Sequence, residues 1–146
     1  GDGNNVAHSL MQICDILDIS LNIATPSGYE PDEQIQQRVS DSNVTILHDP
    51  QRAVHGAQAV YTDVYVSMGE EADESETKRQ HFEDYTVDKE LMESAASEAV
   101  FMHCLPAHRG QEVTEDVIDG PRSIVFDQAE NRLHVQKAIM YTLMTE

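Results

Sequence analysis

The chain has no tryptophan and only five tyrosines and three phenylalanines. Its core must therefore be built mainly from aliphatic side chains. Cations are scarce as well: 9 Lys and Arg stand against 27 Asp and Glu, for a net charge of −18. The lysines are Lys78, Lys89 and Lys137. Nucleic acid and anionic membrane surfaces both require a basic footprint, so neither is expected as a partner. No apolar run approaches the roughly 20 residues of a membrane-spanning helix. Cys14 and Cys104 are the two cysteines, and no CxxC pattern is present. That excludes a disulfide framework and suits a reduced, cytoplasmic setting. There is neither a signal peptide nor an initiator Met, and a chain that starts at Gly1 is read as a fragment of something longer.

What is present fits one domain spanning 1–146. The length of 146 residues allows burial of roughly two thirds of the unfolded surface. The acidic excess is spread along the whole chain. Such a composition is similar to that of proteins from salt-loving microbes, where screening removes the self-repulsion. An ordinary acidic protein is the alternative.

Periodicity divides the chain into alternating helices and strands. Ala7, Leu10, Met11, Cys14 and Leu17 fall at helical spacing. Strands are expected at Leu21–Ala24, Val44–Leu47, Ala59–Thr62, Val100–Cys104 and Ile124–Phe126. Helices are expected near Pro31–Val39, from Asp49-Pro50 to a stop at Gly56, over Glu76–Tyr85 behind a Ser75 cap, and over Asp88–Ala96. Val117–Gly120 reads as a brief helix or turn. The acidic run Glu70–Glu74 reads as an exposed loop. Asp127, with Glu130 three residues on, has the form of a capping box. It predicts a last helix to about Met144 with Val135, Ala138, Ile139 and Leu143 facing inward. The alternation predicts an α/β fold, a doubly wound parallel sheet flanked by helices. Gly1–Asn5 (GDGNN) sits where a first strand should just have ended, so the sheet is expected to lack that strand. Gly1 and Gly3 do not form a dinucleotide loop, because Val6 occupies the third glycine position of GxGxxG.

Ligands of parallel α/β sheets sit at the carboxyl ends of the strands. The segment Phe101–Pro106 (FMHCLP) therefore draws attention, since a strand ends there in His103 and Cys104. Cys104 has three readings: a nucleophile, a metal ligand, or a polar wall of a pocket. A nucleophile needs a paired base, and in a regular strand His103 points to the opposite face. His103, Cys104 and His108 lack a dedicated zinc spacing. Asp63 follows another strand. It is either a turn residue or a carboxylate for a ligand ammonium. Asn4 and Asn5 can cap the first helix, bind a ligand, or divide the two roles. Arg132 is either a surface cation paired with Glu130 or Asp127, or a guanidinium that stabilises developing negative charge. His8, His48, His55, His81 and His134 are expected to be exposed or satisfied in the core.

Four segments in order, GDGNN (Gly1–Asn5), TDVYVSMG (Thr62–Gly69), HCLP (His103–Pro106) and FDQAENR (Phe126–Arg132), resemble the second domain of ornithine carbamoyltransferases. Aspartate carbamoyltransferases share the fold and an HPLP-like segment but lack the SMG. The resemblance implies transfer of a carbamoyl group from carbamoyl phosphate to ornithine, giving citrulline and phosphate, with no metal or organic cofactor. Asp63 would hold the α-ammonium of ornithine and Asn5 would supply an amide donor. Ser67 and Met68 would close over the ligand. Cys104 would lie against the reacting groups, and the Leu105 carbonyl would accept from the carbamoyl nitrogen beside a cis bond to Pro106. Arg132 would polarise the carbonyl oxygen. The family's phosphate-binding Ser-Thr-Arg-Thr loop has no counterpart here, so an N-terminal carbamoyl-phosphate domain is expected to be missing and the chain alone inactive. A homotrimer is implied for the full-length protein. A non-catalytic amino-acid-binding fragment and a transferase for another amine acceptor are the competing readings.

If the acidity is a salt adaptation, raising KCl from about 0.1 M to about 2 M should raise the thermal midpoint, because the Debye length falls from roughly 10 Å to below 3 Å. Calorimetric scans at the two concentrations check this; equal midpoints would contradict it.

Overall fold

The computed structural model describes residues 1–39, 43–66 and 72–145, with only the backbone described at 72–75. Its four strands are β1 (Leu21–Ala24), β2 (Val44–Leu47), β3 (Ala59–Thr62) and β4 (Val100–His103). Each is four residues long and mostly apolar or β-branched, as suits a strand covered on both faces. β1 pairs in parallel with β2, Leu21 opposite Val44, and β3 pairs in parallel with β4, Ala59 opposite Val100. Among the described residues the two pairs are not joined to each other. The facing edges of β1 and β3 line a cavity of about 130 Å³, at whose mouth the Gly1 nitrogen donates to the Ala24 carbonyl at 2.7 Å. The expected alternation and the expected lack of a first strand both fit this arrangement.

The helices are α1 (Asn5–Ile16), α2 (Glu33–Gln36), α3 (Pro50–Val54), α4 (Ala72–Phe82), α5 (Lys89–Ser94), α6 (Glu115–Ile118) and α7 (Val125–Thr145). Short polar side chains start four of them. Asn4, Asp32, Asp49 and Asp88 each accept from a backbone N–H of the first turn, satisfying donors that a helix leaves open. α1 packs on β1 and β2, α3 on β1, and α7 on β4. The main core gathers Val60 and Phe101 from the sheet with Val87, Leu91, Met92, Val113, Val117, Ile118 and Val125. A second cluster centres on Phe82, which is fully buried and stacks on Tyr65 at 4.7 Å, with Tyr29 edge-on at 5.1 Å. It fixes the end of α4, and the 2.8 Å ion pair from Lys78 to Asp2 ties the same helix to the opening turn.

Four expectations need correction. Ile124–Phe126 is not a strand: one bridge pairs Ser123 with Phe101, and Val125 already opens α7. The local apolar run was short enough to suit either element. Asp127 is accordingly a first-turn residue of α7, not its cap. Residues 72–74 of the expected acidic loop belong to α4, while Glu70 and Glu71 lie outside the described residues. The largest departure is in α7 itself. Every residue from Ala129 to Thr145 is exposed, including Val135, Ala138, Ile139 and Leu143, which were expected inside. Helical spacing marks an apolar stripe but does not say which surface covers it.

Gly3 explains the second glycine of the opening turn. Its N–H donates to the Tyr29 carbonyl at 2.9 Å, and a Cβ placed on it would fall on the backbone of Tyr29–Pro31. Gly3→Ala should therefore cost about 1–3 kcal/mol, the usual range for overpacking. A urea titration measures this, and an unchanged midpoint would show that the two segments can part freely.

Candidate active site

The parallel register of β3 and β4 sets the site. Thr62 lies opposite His103, so the next residue on each strand, Asp63 and Cys104, emerge side by side at the carboxyl edge. The Cys104 thiol donates to Asp63 Oδ1 at 2.9 Å. The same oxygen accepts the Val64 N–H at 2.8 Å, and Asn4 Nδ2 lies 3.5 Å from Asp63 Oδ2. Asn4 also caps α1 through its Oδ1, 2.9 Å from the Val6 nitrogen. Asn4 is thus both cap and neighbour of the carboxylate, while Asn5, the expected amide donor, is the exposed first residue of α1.

Cys104 is a thiol, not a thiolate. Burial, reinforced by the hydrogen bond to and the charge of Asp63, pushes it up to about 11. Its proton points at a carboxylate, and no imidazole faces it. His103 is fully buried on the other side of the strand, as alternation requires. This geometry fits a polar wall and not a nucleophile, which needs an activated sulfur. Among the described residues no group of three His, Cys, Asp or Glu side chains could hold a metal ion.

Leu105 follows with φ of 56°, and its bond to Pro106 is cis, as the resemblance implied. Its N–H donates to His103 Nδ1 at 2.9 Å. Arg132 is less closely placed. Because α7 begins at Val125, Arg132 is the eighth residue of the helix. Its side chain is exposed, with no ion pair to Glu130 or Asp127 and no hydrogen bond to Asp63 or Cys104. Ser67 and Met68 lie outside the described residues. The chain therefore brings Asn4, Asp63, Cys104 and Leu105 together, with Asn5 alongside and Arg132 out of contact.

Two participants were missed. The Tyr61 hydroxyl interacts with both Cys104 and Gln128, and burial pushes its phenol upward. Gln128 Oε1 accepts the His103 N–H at 3.0 Å, tying the first turn of α7 to the end of β4. A period-two reading would have found Tyr61, since residues 61 and 63 share a face of β3. Gln128 had no such signal, because its role depends on where α7 starts.

Asp63→Asn removes the charge that helps hold the Cys104 proton. The thiol pKa should then fall, and alkylation of Cys104 at about pH 8.5 should speed up because the thiolate is the reactive form. Peptide mass spectrometry separates Cys104 from Cys14. An unchanged Cys104 rate would show that Asp63 does not hold the thiol.

Residues 1–143 match the family model described as aspartate/ornithine carbamoyltransferase, Asp/Orn binding domain. The catabolic ornithine carbamoyltransferase of Halobacterium salinarum is 60% identical over 146 residues, covering 100% of this chain and 49% of that protein. The anabolic enzyme of Pyrococcus furiosus is 53% identical over 150 residues, covering 99% of this chain and 47% of that protein. A solved structure of ornithine carbamoyltransferase from Pyrococcus furiosus superposes with a TM-score of 0.90 at 52% identity, over 96% of this chain and 46% of that one. The anabolic enzyme of Campylobacter jejuni gives 0.91 at 33% identity, over 98% and 49%. The chain thus spans about half the length of the curated relatives it matches. The matched region is the one that carries the Asp63–Cys104 edge, and the chain belongs to the aspartate/ornithine carbamoyltransferase family.

Proposed function

We propose that this chain is the amino-acid-binding half of an ornithine carbamoyltransferase, which makes citrulline and phosphate from ornithine and carbamoyl phosphate. The observation that carries the reading is the carboxylate of Asp63 beside the protonated thiol of Cys104 at the carboxyl edge of two parallel strands. A carboxylate there can hold an amino acid's ammonium by a charge-assisted bond. The neutral δ-amine of ornithine attacks the carbonyl carbon of carbamoyl phosphate. A C–N bond forms, the C–O bond to phosphate breaks, and the amine loses a proton. Asp63 orients ornithine, with Asn5, Ser67 and Met68 completing its pocket. Cys104 and Leu105 line the reacting centre. Arg132 stabilises the carbonyl oxygen as it becomes negative. Proximity and charge stabilisation supply most of the rate.

The rest of the catalytic centre lies in a second half with the phosphate site. Two unpaired surfaces support this. The facing edges of β1 and β3 leave room for a strand arriving just ahead of Gly1. Leu133, Ile139, Met140, Leu143 and Met144 of α7 form an exposed apolar face of the kind another domain covers. The full-length protein is a cytoplasmic homotrimer. Among the described residues no helix is long and apolar enough to cross a membrane. The acidic composition suits a salt-rich cell.

Citrulline formation by the full-length protein tests the reading. The wild type turns over and the present chain alone does not. Asp63→Ala raises the KM for ornithine about 10–100-fold, the equivalent of one charge-assisted hydrogen bond of roughly 1.5–3 kcal/mol. Citrulline made by this chain alone would refute the division into halves; an unchanged KM would refute ornithine as the ligand of Asp63.

A further inference from the structure

The backbone groups of β4 that turn away from β3 need partners on their other edge. Phe101 finds them in the segment ahead of α7. Its N–H donates to the Arg122 carbonyl at 2.8 Å, and its carbonyl accepts the Ile124 N–H at 3.0 Å. This is the start of a parallel ladder, with Phe101 bridged to Ser123. Were the ladder to continue, the Ile124 carbonyl would take the next N–H on that edge, that of His103. α7 has begun by then, and the Ile124 carbonyl accepts the Gln128 N–H at 2.9 Å. The side chain of the same residue replaces the lost acceptor: Gln128 Oε1 accepts the His103 N–H at 3.0 Å. Gln128 thus takes a carbonyl from the strand edge with its backbone and returns one with its side chain.

His103 is fully buried, so water cannot supply the acceptor, and a buried N–H left unpaired is costly. The Tyr61 hydroxyl on β3 interacts with the same Gln128 side chain. Beyond this point the chain itself holds α7 by little. Val125 is the buried residue of the helix, Gln128 is the last one that is not exposed, and every residue from Ala129 to Thr145 is exposed. One buried side chain fixes where a helix starts but not its rotation about its own axis. A second anchor three residues on, on the same face, fixes both. Arg132 lies one turn past Gln128 on that face, about 6 Å along the axis. A rotation of about 20° would swing a side chain about 6 Å from the axis through about 2 Å, and displacements of about 1 Å can cost on the order of 100-fold in rate.

We propose that Gln128 is a positioning residue: by closing the β4 edge with its side-chain oxygen it sets the rotation of α7, and so aims Arg132 at the carboxyl edge where Asp63 and Cys104 meet. The proposal rests on the role given to Arg132 under Proposed function. Ornithine's ammonium is held elsewhere, by Asp63 on β3. Loss of the Gln128 oxygen therefore acts on the chemical step more than on ornithine binding.

The test compares Gln128→Met with Gln128→Glu in the full-length protein. Methionine keeps the length of the side chain and loses the acceptor, whereas glutamate keeps an oxygen for the His103 N–H. Gln128→Met should lower kcat at least about tenfold, while the KM for ornithine stays within about threefold, as expected of a group acting on the transition state. Gln128→Glu should keep kcat within about threefold of wild type. Hydrogen exchange at the His103 amide should quicken at least about fivefold in Gln128→Met and stay within about twofold in Gln128→Glu. A residue that only stabilised the fold would lower the thermal midpoint and leave kcat in place. Gln128→Ala supplies the comparison should Gln128→Met fail to fold. Equal kcat in the Met and Glu variants, a rise in the ornithine KM that accounts for the whole loss, or His103 exchange that neither variant changes, would overturn the proposal. A wild-type protein that makes no citrulline would instead overturn the function reading, and the exchange comparison would then decide whether Gln128 closes the strand edge.

Discussion

The structure depends on one constraint, the parallel register between β3 and β4. Four backbone pairings place Thr62 opposite His103, and everything at the edge follows from that. A slip by one residue would turn every side chain to the other face of the sheet. Cys104 would then enter the core and His103 would face the pocket. The register is protected by what each face buries. Val60 and Phe101 belong to the main core, and His103 reaches Glu112. The same alternation that sends His103 inward sends Cys104 toward Asp63.

The opening turn is bound to that edge from the other side. Asn4 caps α1 and approaches Asp63, Gly3 lets residues 29–31 cross closely, and Asp2 pairs with Lys78. Residues more than fifty positions apart therefore share one small region. The site is held by strand ends and a helix start, which are stiffer supports than a free loop.

Much of this was legible in the sequence. The first four strands were readable almost to the residue, because short β-branched runs bounded by Gly, Pro, Asp and Ser leave few alternatives. Asp49-Pro50 announced α3 through a cap and a proline that both favour a helix start. Asp63 and Cys104 were recognisable as strand-end polar residues. Less legible were features that depend on what lies beside an element. The start of α7 was misplaced by three residues, which makes Arg132 the eighth helical residue and not the fifth, and hid Gln128. The inward face assigned to α7 was real as a pattern but has no cover among the described residues. Glu112 gave no signal at all, since nothing in its local sequence distinguishes a buried acid from the many exposed ones.

The protonated state of Cys104 has a further chemical consequence. Oxidation to sulfenic acid begins from the thiolate. At neutral pH a thiol pushed up to about 11 spends only ~0.01% of its time in that form. Burial, with the carboxylate that orients the sulfur, thus also shields it from peroxide, and the strand edge can carry a cysteine without becoming a redox sensor.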